Sequence, residues 1–250
     1  MKKFGLIGYP LGHSFSVPYF ESKFKAEGID AEYKNYPLEE ISEFGALVSE
    51  QNDMIGLNVT VPYKQAIIPF LDALSHKARL IQAVNTICFC RKKGRLNLIG
   101  HNTDIHGFGK SLKEHLKEHH TTALVLGTGG SSKAVTFVLS ELGIGYQMVS
   151  RKAGEERLQY SELNEAIIKN SPLIINTTPL GMFPQLESFP DIPYGAISPD
   201  HLLFDLVYNP EKTRFLSMGE EQGASIVNGS DMLVYQAEGS WEIWNRNDEK

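Results

Sequence analysis

The chain alternates short apolar runs with amphipathic segments of helical period. In its first part the apolar runs predict strands over residues 4–8, 31–38 and 54–61, followed by a hairpin over 83–100. Segments of helical period separate the first three strands. This alternation is typical of an α/β protein, in which helices pack on largely parallel sheets.

A second series of the same kind begins near residue 122. Between the two series Asp104 can open a helix that extends to about Glu118, and a last helix is expected from about Asp231 to Arg246. The second series contains a helix over about 129–142 and strands over 122–127, 146–151, 173–178, 202–208 and 225–228. The chain is therefore expected to form two domains.

Composition and charge narrow the classes of function. Hydrophobic residues make up 42% of the chain and charged residues 22%, with a formal net charge of −6, and the mean hydropathy is −0.22. These values are typical of a globular protein in water. The basic cluster Arg91-Lys92-Lys93 precedes Gly94 and is predicted to be an exposed hairpin tip, so no nucleic-acid partner is expected. No segment resembles a signal peptide or a membrane span, and a cytoplasmic location is expected.

The two cysteines, Cys88 and Cys90, alternate along a predicted strand and therefore share one of its faces. No second pair is available to complete a zinc site. Both cysteines are predicted to be structural, and no metal is expected.

A glycine-rich turn links the strand at 122–127 to the helix that follows. Gly127 permits a tight turn, and Gly129 lets the backbone approach a pyrophosphate. The start of the helix offers backbone amides and a favourable dipole to an anion. The alternative is a plain strand-to-helix turn, but the flanking strand and helix favour a dinucleotide site formed by Gly127, Thr128, Gly129, Gly130 and Ser131.

The end of the next predicted strand indicates which dinucleotide binds. An NAD site usually places an acidic residue there to bind the ribose hydroxyls, whereas this chain has Ser150-Arg151-Lys152. Two cations suit the 2′-phosphate of NADP, because arginine offers a planar set of donors. The alternative is that both merely solvate a loop, with Glu155 and Glu156 weakening a cationic pocket. NADP is the predicted cofactor.

Polar clusters follow several strands of the first half, at residues 12–16, 58–64, 84–86 and 102–104. The carboxyl ends of strands in an open parallel sheet face one crevice, so these clusters are expected to converge on one small polar molecule. Uncharged donors and acceptors dominate the set, which suits a ligand with hydroxyls and one carboxylate: Ser14, Ser16, Asn58, Thr60, Asn85 and Thr86.

Lys64 and Asp104 are the expected charged members of this set. Hydride transfer between a nicotinamide and a secondary alcohol requires a group that takes or gives the alcohol proton. Burial would lower the pKa of Lys64 and an adjacent carboxylate would raise it, and the sequence leaves that balance open. The two are best treated as a coupled unit in which Lys64 transfers the proton and Asp104 orients the hydroxyl and the ammonium.

The ordered motifs resemble those of the NADP-dependent shikimate dehydrogenases, in the shikimate/quinate dehydrogenase family, along nearly the whole chain. They are, in order, "GYPLGHSFS", "NVTVPYK", "AVNT", "NTD", "GTGGSSKA", "NTTPLGM", "DLVYNPEKT" and "GSDMLVYQA". The resemblance implies reversible, NADPH-dependent reduction of 3-dehydroshikimate to shikimate, a step of the shikimate pathway to chorismate and the aromatic amino acids.

The resemblance also implies a fold and a set of site residues. Residues 1–104, completed by 230–250, would form an α/β substrate-binding domain to which the C-terminal helix returns, and residues 105–229 a Rossmann-like NADP-binding domain. Lys64 and Asp104 would be the catalytic pair. Shikimate would be held by Ser14, Ser16, Thr60, Asn85, Tyr208 and Gln236, with Asn58 from the polar set. The cofactor would contact Gly127 to Ser131, Ser150, Arg151 and Lys152, with Leu206 and Gly229 beside the nicotinamide.

Two alternatives remain open at this point. A quinate/shikimate dehydrogenase that uses NAD is disfavoured by Arg151 and Lys152. A catalytically idle NADP-binding regulator is disfavoured because it would not need both Lys64 and Asp104. A monomer or a homodimer fits the sequence equally well.

Overall fold

The computed structural model describes residues 1–12, 14–51, 53–152, 154 and 157–246. The chain divides into two compact units, the first formed by residues 1–103 and the chain from residue 236 on, the second by residues 104–235. The domain boundaries expected from the sequence, after residue 104 and before residue 230, describe functional domains and stay a prediction.

The first unit is built on a six-stranded mixed sheet. Its strands are β1 (Lys2–Gly8), β2 (Ala31–Pro37), β3 (Met54–Val59), β4 (Ala73–Leu74), β5 (Thr86–Lys92) and β6 (Arg95–His101), in the order β2-β1-β3-β5-β6-β4. Its helices are α1 (Ser16–Glu27), α2 (Phe44–Glu50) and α3 (His76–Ile81). Strands β1, β2 and β3 are parallel, whereas β5 runs antiparallel to both β3 and β6.

The direction of β5 corrects one expectation about the polar clusters. The β5–β6 hairpin turns at Lys93 and Gly94, which both have positive φ (50° and 76°), as in the tight turns that match the twist of a hairpin. Thr86 therefore begins β5 and pairs with Asn58 near the carboxyl end of β3. The clusters meet because an antiparallel strand starts where a parallel one ends, not because all the strands are parallel.

The second unit is a doubly wound α/β sheet. Its strands are β7 (Thr122–Leu126), β8 (Gly145–Ser150), β9 (Arg157–Gln159), β10 (Leu173–Asn176), β11 (Leu202–Asp205) and β12 (Ser225–Val227). All neighbours pair in parallel, in the order β12-β11-β10-β7-β8-β9. Read from β9, the order is 3-2-1-4-5-6 when the strands are counted within this unit, that of dinucleotide-binding sheets, which places the ligand crevice between β7 and β10.

The second unit contains the helices α4 (Asp104–Lys113), α5 (Gly130–Glu141), α6 (Glu165–Lys169) and α7 (Arg214–Glu221). The last helix, α8 (Ser230–Arg246), starts in the second unit and continues into the first. The predicted extension of α4 to Glu118 is wrong, because the chain turns after Lys113. The Lys117 backbone N–H there donates to Nδ1 of His120 at 3.0 Å instead of to a helical carbonyl.

Separate apolar cores support the two units. In the first unit Phe4, Phe20 and Tyr33 pack with Trp244 of α8, and all four side chains are buried. Cys88 and Cys90 lie in the same cluster with reduced thiols, so the prediction of structural cysteines agrees with their burial. The second core lies around β7, β10 and β11 and includes Leu124, Ile174, Leu203 and Phe215, among other residues.

Candidate functional site

The loop after β1 carries the first two predicted substrate residues. Ser14 and Ser16 are half-buried, and the Ser16 backbone N–H donates to Oγ of Ser14 at 3.2 Å. Ser16 is also the first residue of α1. The turn thus holds both serines at the start of one helix.

Asn58 lies in a hydrogen-bond network of the first unit. Its Oδ1 accepts from the Tyr33 hydroxyl at 2.8 Å, and its Nδ2 donates to Ser240 Oγ at 2.8 Å and to the Asn85 carbonyl at 3.1 Å. Burial raises the pKa of Tyr33, which keeps the hydroxyl a neutral donor. The Asn58 amide is therefore fixed in one orientation, which suits a residue that positions its neighbours.

Asn85 lies at the centre of the same network and is buried. Its Oδ1 accepts from the Thr103 backbone N–H at 2.7 Å, and its Nδ2 donates to Thr103 Oγ1 at 3.0 Å and to Gln236 Oε1 at 3.2 Å. Two predicted substrate residues that are 151 positions apart, Asn85 and Gln236, are thus in direct contact.

Ser240 was not predicted from the sequence, although it is fully buried in this network. Its hydroxyl lies 2.8 Å from Thr86 Oγ1, accepts from Asn58 Nδ2 and donates to the Gln236 carbonyl at 3.0 Å. The available signal was its spacing: Ser240 follows Gln236 by four residues and so lies on the same face of a helix.

The main chain around Lys64 is held at two points. After β3 the Thr60 N–H donates to the Ile7 carbonyl at 2.9 Å, and the Tyr63 N–H donates to the Thr60 carbonyl at 2.9 Å. The Lys64 carbonyl accepts from the Val84 N–H at 2.7 Å. The lysine, which is half-buried, therefore stands at a fixed place beside the segment that leads through Asn85 into β5.

Asp104 is the first residue of α4 and is buried, with 1% of its surface exposed. It directly follows Thr103, whose backbone is bonded to Asn85, and it is assigned to the second unit. A carboxylate in the first turn of a helix is stabilised by the helix dipole. The Lys64 main chain is thus bonded to the residue before Asn85, and Asp104 follows a residue that is bonded to Asn85 itself. The catalytic roles of Lys64 and Asp104 stay a prediction.

The glycine turn after β7 has the geometry that a dinucleotide requires. Gly127 has φ +108°, and a Cβ there would lie 2.7 Å from Thr177 Oγ1. A Cβ on Gly129 would meet nothing within 4 Å, so its backbone faces open space at the start of α5. Ser132, the first-turn residue where many dinucleotide sites have a third glycine, is buried and donates to the Gly129 carbonyl at 2.7 Å. Thr128, Gly130 and Ser131 complete this segment.

Ser150, Arg151 and Lys152 lie at the end of β8, the strand next to β7. Ser150 is buried, and its Oγ accepts from the Lys152 backbone N–H at 3.2 Å. The side chains of Arg151 and Lys152 are exposed and available to an anion. Glu155 and Glu156, expected to weaken this cationic group, lie outside the described residues.

The predicted nicotinamide-side residues lie together within the second unit. The Leu206 N–H donates to the Asn176 carbonyl at 3.0 Å, and the Gly229 N–H donates to the Val207 carbonyl at 3.1 Å. A Cβ on Gly229 would come within 2.3 Å of the Leu206 carbonyl oxygen, so only glycine fits there. Tyr208, half-buried, follows in the same segment, so it belongs to the second unit although it is predicted to bind substrate.

An exposed cluster bears on the expectation that no metal binds. Glu114, His115 and Asp231 bring possible ligand atoms within 4.8 Å of one another, all on exposed side chains. Such groups are common on protein surfaces, and the absence of a metal stays a prediction.

None of the helices in the described part of the chain has the length and apolar composition of a membrane span.

Known proteins with similar sequences include several named shikimate dehydrogenase (NADP(+)), and similar solved structures also include a quinate dehydrogenase of Corynebacterium glutamicum in complex with NAD, with a TM-score of 0.84 at 26% identity over 97% of this chain and 93% of that one. Residues 6–87 match the family model "Shikimate dehydrogenase substrate binding domain". A shikimate dehydrogenase (NADP(+)) of Caldicellulosiruptor saccharolyticus is 38% identical over 262 residues, which cover 98% of this chain and 92% of that protein.

Solved structures agree with this result. Shikimate dehydrogenase 1 of Peptoclostridium difficile superimposes with a TM-score of 0.83 at 34% identity, over 98% of this chain and 92% of that one. The Thermus thermophilus shikimate 5-dehydrogenase, in complex with NADP(H) and shikimate, has a TM-score of 0.85 at 28% identity, over 98% and 93% of the two chains.

Proposed function

This chain belongs to the shikimate dehydrogenase family, and we propose that it reduces 3-dehydroshikimate reversibly to shikimate with NADPH. The enzyme is an oxidoreductase of aromatic amino-acid biosynthesis. The observation that carries the proposal is the group of hydrogen bonds around Asn85. Asn58, Gln236 and the Thr103 main chain bond to Asn85. The Lys64 main chain bonds to Val84, the neighbour of Asn85.

The residues of the second unit fit NADP. The open space beside Gly129 and the amides at the start of the twelve-residue helix α5 suit a pyrophosphate. Exposed Arg151 and Lys152 at the end of β8 suit the 2′-phosphate. When bound, the reduced cofactor supplies the hydride that reaches the ring carbonyl carbon.

The chemistry assigned to this chain's own residues is proton transfer. The Lys64 ammonium gives a proton to the substrate oxygen as the carbonyl becomes a hydroxyl, and in the reverse direction the neutral amine takes it back. Asp104 accepts a hydrogen bond from the same hydroxyl and fixes its orientation. Ser14, Ser16, Thr60, Asn85, Gln236 and Tyr208 hold the remaining hydroxyls and the carboxylate. Asn58, which is also predicted to bind substrate, holds Asn85 and Ser240 in place.

The activity test is absorbance at 340 nm with purified protein, shikimate or quinate, and NADP or NAD. Shikimate-dependent reduction of NADP, with little reduction of NAD and little oxidation of quinate, is the expected result. Equal rates with NAD would favour the quinate/shikimate dehydrogenase alternative. Cofactor binding without turnover on any pair would favour the idle regulator.

Arg151→Ala is expected to raise the KM for NADP, because a multi-donor contact to the 2′-phosphate is lost. The KM for NAD, which lacks that phosphate, should not change. Lys152→Ala is the matched control, since it removes a point charge of the same sign and should weaken NADP less. An unchanged KM for NADP in Arg151→Ala would assign Arg151 to a solvated loop.

Three finer expectations accompany this function. Residues 1–104 with 230–250 would bind substrate, and residues 105–229 would bind NADP. The protein would work in the cytoplasm as a monomer or a homodimer. Size-exclusion chromatography with light scattering, with and without ligands, would decide the oligomeric state.

A further inference from the structure

Asp205 is a buried carboxyl group that the proposed reaction does not use. It is the last residue of β11, and none of its surface is exposed. Its Oδ1 accepts from Asn176 Nδ2 and from the Val207 backbone N–H, both at 3.0 Å, and its Oδ2 accepts from Thr213 Oγ1 at 2.6 Å. Burial raises the pKa of Asp205 to about 7, against the opposing effect of these three hydrogen bonds. Burial disfavours the ionised form of a carboxyl group, so the presence of Asp205 at this position requires an explanation.

The donors to Asp205 come from three different segments at one edge of the sheet. Asn176 is the last residue of β10 and pairs with Asp205 in the parallel ladder. Val207 lies in the segment after β11, and Thr213 is the N-cap of α7. One carboxyl group therefore joins the ends of two strands to the start of a helix.

The contacts continue from Asn176 to the glycine turn. Asn176 Oδ1 accepts from both the backbone N–H (3.0 Å) and the hydroxyl (2.6 Å) of Thr178, which fixes the amide so that its Nδ2 faces Asp205. Thr177 donates twice to the Leu126 carbonyl, from its N–H at 2.9 Å and its hydroxyl at 2.7 Å. Thr177 and Thr178 are the side chains that a Cβ on Gly127 would meet. Thr178, one of the two threonines that lie against the glycine turn, is thus held by Asn176.

The contacts also continue from β11 to the predicted nicotinamide side. Val207 donates to Asp205 through its N–H and accepts from Gly229 through its carbonyl. Leu206, between Asp205 and Val207, donates to the Asn176 carbonyl. The positions of Leu206 and Gly229 therefore depend on the same carboxyl group.

We propose that Asp205 is the positioning residue of the cofactor site. Through Asn176 it fixes Thr178 against the glycine turn, and through Val207 it fixes Leu206 and Gly229 beside the nicotinamide. Asp205 is fully buried and acts on the ligand only through these neighbours. The inference rests on the proposed function, because it assumes that the ligand between β7 and β10 is NADP.

The chemistry of the network gives a rescue variant. In Asp205→Asn the amide oxygen can take the place of Oδ1, which receives two N–H donors, and the amide nitrogen can take the place of Oδ2 and donate to the Thr213 hydroxyl. In Asp205→Ala all three donors lose their acceptor. Thr213→Val removes only the hydroxyl, and Thr213→Ser keeps it.

The test measures the dissociation constant of NADP by titration without substrate, together with the KM for NADP, the KM for shikimate and the thermal unfolding of each variant. Asp205→Ala is expected to raise the dissociation constant and the KM of NADP about tenfold or more, because small displacements of positioning groups are costly. The KM for shikimate should rise less, because Tyr208 is the one predicted substrate residue that lies in the affected segment. Asp205→Asn should recover most of the affinity, and Thr213→Val should weaken NADP more than Thr213→Ser does. Ile174→Val, in the core of β10, is the control for loss of stability alone and should leave NADP affinity unchanged.

Several results would overturn the inference. NADP affinity close to wild type in folded Asp205→Ala would do so, as would equal weakening by Asp205→Asn and Asp205→Ala. If Asp205→Ala does not fold, Thr213→Val decides: unchanged affinity, or a loss no greater than in Ile174→Val at equal stability, overturns it. A wild-type protein that fails to bind NADP in the same titration would remove the proposed function as well.

Discussion

At the scale of single residues, the main chain distinguishes Lys64 from an ordinary surface lysine. Most lysines that follow a strand point into water, whereas the carbonyl of this one accepts from Val84 and the turn before it is bonded to β1 through Thr60. A half-buried lysine on a fixed backbone is suited to proton transfer, since little reorganisation is needed when the substrate binds.

Lys64→Ala is expected to lower kcat by about 10²–10⁴, the usual effect of losing an acid–base group, and to leave shikimate binding within a few-fold. Stopped-flow absorbance at 340 nm gives kcat, and calorimetry gives the shikimate affinity. Lys64→Arg is the matched control, because it keeps the charge with a group that does not release its proton, and it should be equally slow. Near-normal turnover in either variant would exclude Lys64 from the mechanism.

Ser240→Ala is expected to raise the KM for shikimate and to lower the free energy of unfolding by about 1–3 kcal/mol, because Asn58 and Thr86 lose a buried partner. The KM for NADP should not change. Ser111→Ala is the matched control, since Ser111 is equally buried but lies on α4 in the second unit. An effect on both KM values in Ser240→Ala would indicate a general loss of structure.

Some residues of the candidate site could be predicted from the sequence, and others could not. Lys64, Asp104 and the glycine turn are proposed as site residues from their positions at the ends of strands, and their roles stay a prediction. Ser240 and Asp205 were not predicted, because a serine within a helix and an aspartate at the end of an apolar strand have many ordinary explanations. Their roles depend in part on partners more than 25 residues away in sequence, Asn58 for Ser240 and Asn176 for Asp205, which no local pattern contains.

At the scale of elements, β3 is shaped by the helix that packs on it. A Cβ on Gly56 would lie 2.0 Å from Nε1 of Trp244, and Trp244 is fully buried and donates to the Ile87 carbonyl at 3.0 Å. The strand therefore needs a residue without a side chain where α8 crosses it.

Gly56→Ala is expected to destabilise the protein by about 1–3 kcal/mol through overpacking. Gly45→Ala is the matched control: Gly45 lies in α2, and a Cβ there would meet nothing within 4 Å. That change should be neutral or stabilise by up to about 1 kcal/mol, because alanine is the better helix former. Urea unfolding of the two variants measures both values, and equal stability would contradict the packing argument.

The elements themselves were largely predictable, except where a side chain competes with the backbone. The five predicted strands of the second unit agree with the structure to within three residues, because short continuous apolar runs identify buried parallel strands. The end of α4 was missed because good helix formers continue to Glu118, while His120 accepts the Lys117 amide and ends the helix pattern earlier. The strands β4 and β9, of two and three residues, were missed because neither forms a distinct apolar run: β4 is Ala73-Leu74 and β9 is Arg157-Leu158-Gln159.

At the scale of the whole molecule, apolar cores that are each confined to one unit predict separable failures. Trp244 packs on Phe4 with a ring-centroid distance of 4.9 Å, in a core that belongs to the first unit alone. The second unit has its own core around β7 and β10.

Trp244→Ala is expected to cost about 3–5 kcal/mol and to abolish shikimate binding. NADP binding should persist in the same protein, because the core of the second unit is intact. Trp241→Ala, on the same helix but partly buried, is the control and should be milder. Parallel titrations with the two ligands measure the difference, and loss of both would show that the units do not fold independently.

The path of the chain through the two units has a consequence for its synthesis. The second unit is continuous, from residue 104 to residue 235, whereas the first unit lacks its largest buried side chain until residue 244 has been made. On the ribosome, where residues are added at about 5–20 per second, the core around Trp244 therefore stays incomplete until the last segment has been made, although another apolar cluster of the first unit, around Leu57 and Ile67, lies within residues 7–98. The second unit can mature while the core around Trp244 is still incomplete, so the chain can finish folding in its middle before it finishes at its two ends.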